Sequence, residues 1–412
     1  MSAPLSAANL HRAAQLVAAV TPGTPVEAVL RRALAPRRDL PSDARRALAG
    51  AVPAFFRWRQ WQDARIPLPR QIAGALELQA RFTADPASVK IEALAARAVP
   101  GWIWEELPVL PSSPRAAAWL RQLQLEPARW IRARAKFAAA LPEKLGDCAP
   151  AALPPALGAV PATAFRHTGL RDLFLTDEFR QGQFEIQDLA SQLVGCACAP
   201  RPGETWWDAC AGEGGKTLHL AELMANRGLI WASDRSRRRL QVLRKRAARA
   251  AVFNYRTVFW NGGPQPPTRT RFDGVLVDAP CSGVGTWQRH PDARWSASPA
   301  GVRELADIQQ RLLDQVAPSL KPGGRLVYAV CTLTTAETVA VTAEFSRRHP
   351  EFKPVSVFSE TSSQKPEAGK SPSEISNPPS LASGLRLPAS VTLWPQDLNA
   401  NGMFIATWRR SA

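Results

Sequence analysis

The alternation of short apolar runs with helical stretches between about residues 196 and 345 constrains the fold most strongly. Runs of this length, separated by helices, predict a mostly parallel, doubly wound α/β sheet. Parallel strands bring their carboxyl ends to one rim of such a sheet, where ligands bind. The residues that close each run are therefore candidate site residues; the runs are ETWWDACAG, LIWASD, YRTVFWN, FDGVLVDAP and GGRLVYAVC.

The length of the chain predicts more than one domain. At 412 residues, and with ~150 residues as a usual domain size, two or three are expected. Apolar residues at helical spacing predict a helical domain over 1–105, and mixed patterns predict a small α+β linker subdomain over 106–195, with an edge strand at Trp130–Arg134. The α/β domain spans 196–412, with a disordered insertion at 358–382 that is rich in Ser, Pro, Glu and Lys.

The charge balance favours a polyanionic partner. The formal net charge is +17 and the sequence pI is about 10.6, which is typical of nucleic-acid-binding proteins. A generally arginine-rich composition is the alternative explanation. The segment Phe55–Trp61 interleaves aromatic residues with arginines, as in an RNA-contacting helix. The pattern of its individual residues favours a packed bundle helix instead.

The cysteines and the apolar runs exclude several classes of protein. None of the six cysteines forms a CxxC pair and no His cluster supplies zinc spacing, so no metal is expected. Reduced thiols fit a cytoplasmic protein. No run of ~18 apolar residues or basic leader appears, so neither a membrane partner nor secretion is expected. We expect a monomer that binds RNA.

Two of the cysteines are candidates for covalent chemistry. Cys281 and Cys331 each follow an apolar run of the predicted sheet, and Asp278 lies three residues before the first. A thiolate is a strong nucleophile where nearby positive charge lowers its pKa. An isolated cysteine is more often a small buried apolar residue. We apply that second interpretation to the others outside the glycine-rich turn, Cys148, Cys196 and Cys198.

A glycine-rich turn follows the first strand. Its sequence from Asp208 to Thr217, DACAGEGGKT, ends one strand and opens a helix, which lets a nucleotide-like cofactor approach the backbone. A tight turn without a ligand is the alternative. Asp234 closes the second strand, where an acid can accept hydrogen bonds from ribose hydroxyls or cap the next helix. Asn261 stands at the end of the third strand and is a candidate for an adenine contact.

These motifs resemble those of a known enzyme family. FDGVLVDAPCSGVGT, GGRLVYAVCTLTTAE and DACAGEGGKT are similar to motifs of the RNA 5-methylcytosine methyltransferase family (RsmB/NOP/Sun), particularly its bacterial 16S ribosomal RNA methyltransferase B type. The resemblance is strong over 177–345 and weak in the N-terminal half. It implies a Rossmann-like class I methyltransferase domain, dependent on S-adenosylmethionine, preceded by a helical NusB-like RNA-binding domain.

The resemblance also implies roles for individual residues. Cys331 corresponds to the nucleophile that attacks C6 of cytosine, Cys281 to the thiol that helps release the product, and Asp278 to the group that contacts the base near N3. The target base has to leave its helix or loop to reach them. The residues implied to bind S-adenosylmethionine are Cys210, Ala211, Gly212, Glu213, Gly214, Gly215, Lys216, Asp234, Asn261 and Asp278.

The sequence departs from the family pattern at three places. Gly212-Glu213 replaces the usual Ala-Pro, and Asn261 replaces a common Asp, which puts the strength of cofactor binding in question. The ending at 400–404 also differs, and no departure removes a catalytic group. The predicted function is 5-methylcytosine formation in RNA, with 16S rRNA favoured. A transfer-RNA methyltransferase and a non-catalytic ribosome-assembly factor are the alternatives, which methylation mapping and a cofactor-binding measurement distinguish.

The loop after Cys281 carries a separate basic cluster. Arg289, His290 and Arg294 follow the first cysteine motif closely in sequence. This cluster either faces the RNA or orders its own loop, and the sequence favours neither. The longer basic segment SRRRLQVLRKRAAR is most simply the solvated face of a helix that covers the sheet.

Overall fold

The computed structural model describes residues 5–35, 40–153, 157, 163–358 and 388–412. Apart from Phe358, the predicted insertion at 358–382 lies outside these residues. Throughout these ranges, every helix is too short or too polar to traverse a lipid bilayer. The N-terminal part is helical, as predicted, and its likeness to NusB stays a prediction. Its helices are α1 (Ala7–Ala18), α2 (Val26–Ala33), α3 (Ser42–Trp58), α4 (Leu68–Ala84), α5 (Ile91–Arg97), α6 (Ile103–Glu106) and α7 (Pro114–Gln124).

The aromatic segment of α3 belongs to the core of the helical region. Phe55, Phe56 and Trp58 are each at most 7% exposed. Arg57 is also buried, and its Nη1 donates a hydrogen bond of 2.7 Å to Gln79 Oε1. Burial lowers the pKa of Arg57 to about 10. The packed-helix interpretation of this segment is therefore confirmed for these four residues, which leave no aromatic face for RNA.

A four-stranded antiparallel sheet follows, in the order β2-β3-β1-β4. The predicted edge strand at 130–134 is wrong, because β1 pairs with β3 on one side and β4 on the other. Its alternating pattern was misleading because Arg132 is buried and forms an ion pair with Glu222. The elements of this part are β1 (Arg129–Ala133), α8 (Leu141–Leu145), β2 (Cys148–Pro150), β3 (Ala164–His167), α9 (Asp177–Arg180) and β4 (Phe184–Ile186).

The third part is the predicted α/β fold. Its eight-stranded sheet has the order β10-β12-β9-β8-β5-β6-β7, with β11 paired to β12. Strands β5 to β9 pair in parallel, whereas β12 pairs antiparallel with β9, β10 and β11. The elements are α10 (Leu189–Cys198), β5 (Thr205–Asp208), α11 (Gly215–Leu223), β6 (Leu229–Asp234), α12 (Arg237–Arg249), β7 (Tyr255–Phe259), β8 (Phe272–Asp278), α13 (Pro299–Val316), β9 (Leu320–Val330), α14 (Val339–Arg348), β10 (Phe352–Pro354), β11 (Ser390–Leu393), α15 (Pro395–Leu398) and β12 (Met403–Arg410).

The order of the parallel strands reverses at β5. The chain runs outward from β5 through β6 to β7, then returns to place β8 and β9 on the other side of β5. Such a switch point opens a crevice at the carboxyl ends of the central strands. The central strands β5 and β8 are tightly packed, since Gly274 of β8 faces the Trp206 ring of β5, and a Cβ at Gly274 would lie only 2.2 Å from that ring. The sheet therefore positions the ends of β5, β6, β8 and β9 around one crevice.

The basic helix α12 covers the sheet as expected. Leu240, Leu243 and Ala247 are buried against it, at helical spacing. Two of its arginines, Arg246 and Arg249, bind the buried carboxylate of Glu185 from β4. The remaining charged residues of the helix are mostly exposed. This burial pattern confirms the interpretation of α12 as a sheet-covering helix with a solvated face.

The loop after β8 joins the α/β part to the helical region. Arg294 is fully buried, and its guanidinium donates hydrogen bonds to the carbonyl oxygens of Ala98, Leu123 and Trp287. Trp287 stacks on Trp119 of α7, with ring centroids 6.3 Å apart. Of the two interpretations of the basic cluster, the structure supports loop ordering for Arg294, which has no exposed surface to offer RNA.

We expect the substitution Arg294→Met to lower the free energy of unfolding by about 3 kcal/mol or more, because it leaves buried carbonyl oxygens without donors. Urea denaturation measures this change. Arg303→Met is a matched control, since Arg303 is exposed on α13, and a change within about 0.5 kcal/mol is expected. Equal losses in the two variants would contradict the bridging role of Arg294.

Candidate active site

The two candidate thiols lie side by side. Cys331 follows the last residue of β9, and Cys281 lies in the loop that leaves β8. Their Sγ atoms are 3.3 Å apart, within hydrogen-bond distance for sulfur. The backbone joins the two loops as well, because the amide of Gly285 donates a hydrogen bond of 3.0 Å to the carbonyl oxygen of Cys331. Both side chains are half-buried.

The surroundings of the pair favour one thiolate and one thiol. The hydrogen bond from Cys281 lowers the pKa of Cys331 against the effect of burial, and the ammonium of Lys216 acts in the same direction. The same hydrogen bond, together with burial and the charge on Cys331, raises the pKa of Cys281 well above its usual value. Cys331 is therefore the more acidic thiol of the pair.

Asp278 and Lys216 form an ion pair beside the thiols. Lys216 Nζ is 2.8 Å from Asp278 Oδ2, with the lysine side chain 10% exposed. Although burial disfavours the ammonium, Asp278 and the neighbouring negative groups raise the pKa of Lys216. The lysine therefore stays charged and links the glycine-rich turn, where it resides, to the end of β8. Asp278 is 30% exposed and keeps one oxygen free of this contact.

The glycine-rich turn presents backbone to the crevice. Gly212 and Gly214 have φ values of +56° and +87°, which favour glycine. Added Cβ atoms at Gly212 and Gly215 would meet no atom within 4 Å, so open space lies on that side of the turn. The amide of Gly212 donates a hydrogen bond of 2.9 Å to Asp234 Oδ2, which ties the ends of β5 and β6 together. An open turn beside buried acids fits a cofactor with a nucleoside part.

Asn261 makes its side-chain hydrogen bond within its own loop and not with the other predicted site residues. It is exposed, and its Oδ1 accepts a hydrogen bond of 3.1 Å from the amide of Gly263 in its own loop. The residue in register with Asp234 on β7 is Phe259, which is 42% exposed and lies 4.7 Å from the guanidinium carbon of Arg237. An adenine contact by Asn261 therefore stays a prediction. Glu213 of the same predicted set is exposed beside the turn.

Two buried acids of the site were not among the predicted residues. Asp208 closes β5 and its Oδ2 accepts a hydrogen bond of 2.6 Å from Thr217 Oγ1. The rule that selected Asp234, an acid at the end of an apolar strand, applies equally to Asp208. Glu337 is fully buried behind the cysteines, and its only sequence signal is the run of threonines before it.

Burial, with smaller contributions from neighbouring acids, raises the pKa of Asp208 to about 7.

We expect wild-type stability to fall as pH rises through Asp208's titration range. The unfolded carboxyl loses its proton near pH 3.8, whereas the folded one keeps it until about pH 7. The unfolded state therefore binds fewer protons over that interval, and the free energy of unfolding decreases with pH. Asp208→Asn removes this contribution, so its melting temperature relative to wild type should rise from pH 5 to pH 8. A difference that is constant across pH would contradict the raised pKa.

Comparison with known proteins identifies relatives of the α/β part. Residues 196–409 match the family model described as 16S rRNA methyltransferase RsmB/F. A "probable ribosomal RNA small subunit methyltransferase B" of Synechocystis is 37% identical over 238 residues, covering 57% of this chain and 49% of that protein. A protein of the same name from Bacillus subtilis is 38% identical over 181 residues, covering 43% and 40%. The matched segments thus span half or less of these relatives.

Solved structures extend the likeness to the fold. The crystal structure of a protein called PH0851 covers 100% of both chains with a TM-score of 0.72 and 20% identity, which shows a shared fold. A methyltransferase homologue from Pyrococcus horikoshii covers 72% of this chain and 91% of its own, with a TM-score of 0.54 and 26% identity. The doubly wound α/β sheet predicted from the strand and helix pattern is therefore confirmed, as is the Rossmann-like methyltransferase fold that the family resemblance implies.

Proposed function

The chain belongs to the family of 16S rRNA methyltransferases described as RsmB/F, and on that premise we propose that it forms 5-methylcytosine in RNA, with 16S rRNA as the favoured substrate. The polarised pair of Cys331 and Cys281, 3.3 Å apart at the rim of the sheet, carries this proposal. Methylation at C5 of cytosine needs a nucleophile that adds to C6, and a thiolate supplies it.

S-adenosylmethionine is the methyl donor of this family, and it supplies an electrophilic methyl group when bound. The open side of the turn at Gly212 and Gly215 would hold it, with Asp234 at the ribose. Lys216 is placed at the same turn, and its charge favours the Cys331 thiolate. The domain boundaries at 105 and 195 stay part of this proposal, in which the helical domain over 1–105 binds RNA and 106–195 is a linker subdomain.

The proposed reaction begins at Cys331. Its thiolate adds to C6 of the cytosine, so that a sulfur–carbon bond forms and electron density moves to C5. Asp278 contacts the base edge near N3 with the oxygen that Lys216 leaves free. When that oxygen carries a proton from solvent, it donates the proton to N3 as negative charge develops there, and N3 returns the proton after C5 is methylated. C5 then takes the methyl group. Loss of the proton from C5 lets the sulfur–carbon bond break, with its electron pair returning to Cys331.

Cys281 is suited to the last step because its pKa depends on Cys331. The hydrogen bond and the charge of the Cys331 thiolate both raise the pKa of Cys281. Both effects end when the Cys331 sulfur becomes a neutral thioether on C6. Cys281 then loses its proton to solvent more readily and becomes the base that accepts the proton from C5.

Methylation mapping tests the proposal. The protein is incubated with S-adenosylmethionine and either unmodified 16S rRNA or a transfer-RNA pool, and 5-methylcytosine is mapped by bisulfite sequencing. We expect a site in 16S rRNA. Modification of transfer RNA alone would assign the substrate to that class. Absence of both products, together with no heat of binding for S-adenosylmethionine by calorimetry, would favour a non-catalytic assembly factor.

A further inference from the structure

We propose that Glu337 is a positioning residue that fixes the separation of the two thiols by holding the residue that follows each of them. Glu337 lies between β9 and α14 and does not contact either sulfur by a hydrogen bond. It acts instead through Ser282, next to Cys281, and Thr332, next to Cys331. The roles of the two thiols rest on the proposed function, whereas the thiol geometry assigned to Glu337 does not.

The carboxylate of Glu337 accepts hydrogen bonds from both cysteine-bearing loops. Oε1 accepts from the amide of Ser282 at 2.8 Å, and Oε2 accepts from the Ser282 hydroxyl. Oε2 also accepts from Thr332 Oγ1 at 3.0 Å and Thr334 Oγ1 at 2.8 Å. The hydroxyl oxygens of Ser282 and Thr332 are themselves only 2.8 Å apart. One buried acceptor therefore joins the two loops directly behind the sulfur pair.

The network is anchored to the core of the α/β part. Gln309 of α13 donates from Nε2 to Glu337 Oε1 and to the carbonyl oxygen of Pro280, both at 2.9 Å. Tyr328 of β9 helps to fix this amide. Its hydroxyl shares one proton between Gln309 Oε1, at 2.9 Å, and the Glu337 carbonyl oxygen, at 2.7 Å. Cys281 is thus held on both sides, at Pro280 and Ser282. Gln309, Tyr328 and Glu337 are all fully buried.

A carboxylate is chemically suited to this role. It offers only acceptors, and here five donors converge on its two oxygens. Hydrogen bonds to a charged group are stronger than neutral ones, and a buried network that is fully satisfied is rigid. Removal of Glu337 leaves these donors without their shared acceptor and frees the two loops to separate. The sulfur–sulfur contact at 3.3 Å is what that movement disrupts.

The direction in which the pKa of Cys331 changes when Glu337 is removed distinguishes a positioning role from a purely electrostatic effect of the Glu337 charge. The negative charge of Glu337 by itself opposes the Cys331 thiolate, so loss of that charge alone lowers the pKa of Cys331. Loss of the hydrogen bond from Cys281, which is the largest influence on Cys331, raises the pKa. The proposal therefore expects Glu337→Ala to raise the pKa of Cys331, against the sign of the lost charge.

The test measures alkylation of Cys331 by iodoacetamide as a function of pH, resolved by peptide mass spectrometry, on the full chain without RNA or cofactor. We expect the midpoint of the profile to move upward in Glu337→Ala, with about a tenfold slower reaction at pH 7, corresponding to one pKa unit. Ser282→Ala keeps the charge of Glu337 and removes one link, so a smaller upward shift is expected, and it carries the test if Glu337→Ala fails to fold.

Glu185→Gln is the matched control, since Glu185 is a buried carboxylate bound by Arg246 and Arg249. It should leave the profile of Cys331 unchanged. A downward shift in Glu337→Ala, or an unchanged profile in a folded Ser282→Ala, would overturn the positioning role. Neither result depends on methyl transfer, so failure of this inference and failure of the proposed function are distinguishable.

Discussion

Replacement of Cys331 by alanine should abolish methyl transfer, with a loss of about 10⁴-fold or more in kcat, as expected when the nucleophile of a covalent mechanism is removed. The cause is chemical: C5 of cytosine becomes reactive only after addition at C6, and Cys331 is the thiol that we propose to add there. The hydrogen bond and charge of Cys331 no longer act on Cys281 in this variant, but burial and the charge of Glu337 still raise the pKa of Cys281, which makes it a poor substitute. Single-turnover methylation at saturating cofactor measures this change.

Cofactor binding provides the control within the same variant. Cys331 takes no part in the open face of the turn at Gly212 and Gly215, so calorimetry should give an unchanged affinity for S-adenosylmethionine. Cys148→Ala is the matched variant, since Cys148 is a half-buried thiol of the antiparallel sheet, and it should retain full activity. Product formation by Cys331→Ala at the wild-type rate would show that Cys331 is not the nucleophile.

The α/β sheet and its rim were predictable because each rested on local pattern. Five apolar runs gave five strands at nearly the expected bounds, and acids or cysteines that ended or followed a run lie at the crevice. Asn261 shows the limit of that rule. The strand β7 ends at Phe259, two residues earlier, so that the amide falls in a turn and satisfies its own loop.

The hydrogen-bond partners of Arg294 and Glu337 were not predictable, because most of them are distant in sequence. The carbonyl oxygens that bind Arg294 belong to residues more than 160 positions away as well as to a near neighbour. Glu337 meets Ser282 across 55 positions. From sequence alone, a charged residue is expected to be exposed. Only the folded structure supplies the hydrogen bonds that make its burial favourable. The same reason made β1 resemble an edge strand.

Replacement of Cys281 by alanine should leave the protein able to attack RNA but unable to release it. The adduct between Cys331 and C6 forms, the methyl group is taken by C5, and the proton on C5 then lacks the base that Cys281 provides. We expect a covalent protein–RNA complex, visible as a band of reduced mobility in a denaturing gel, and at most one methyl group transferred per protein. The double variant Cys281→Ala with Cys331→Ala should form no such band.

The rate at which this complex forms should itself depend on pH, because Cys281 also supplies the hydrogen bond that lowers the pKa of Cys331. Without that bond, burial and the charge of Asp278 hold the pKa of Cys331 higher, so less thiolate is present at pH 7. Adduct formation by Cys281→Ala should therefore accelerate from pH 7 to pH 9 more steeply than the first turnover of the wild type. A folded Cys281→Ala that turns over at the wild-type rate without accumulating adduct would show that Cys281 only packs beside the nucleophile. If adduct accumulates but its rate of formation does not change with pH, Cys281 acts in release and not in forming the Cys331 thiolate. That outcome separates the two functions that the 3.3 Å contact between the sulfur atoms brings together.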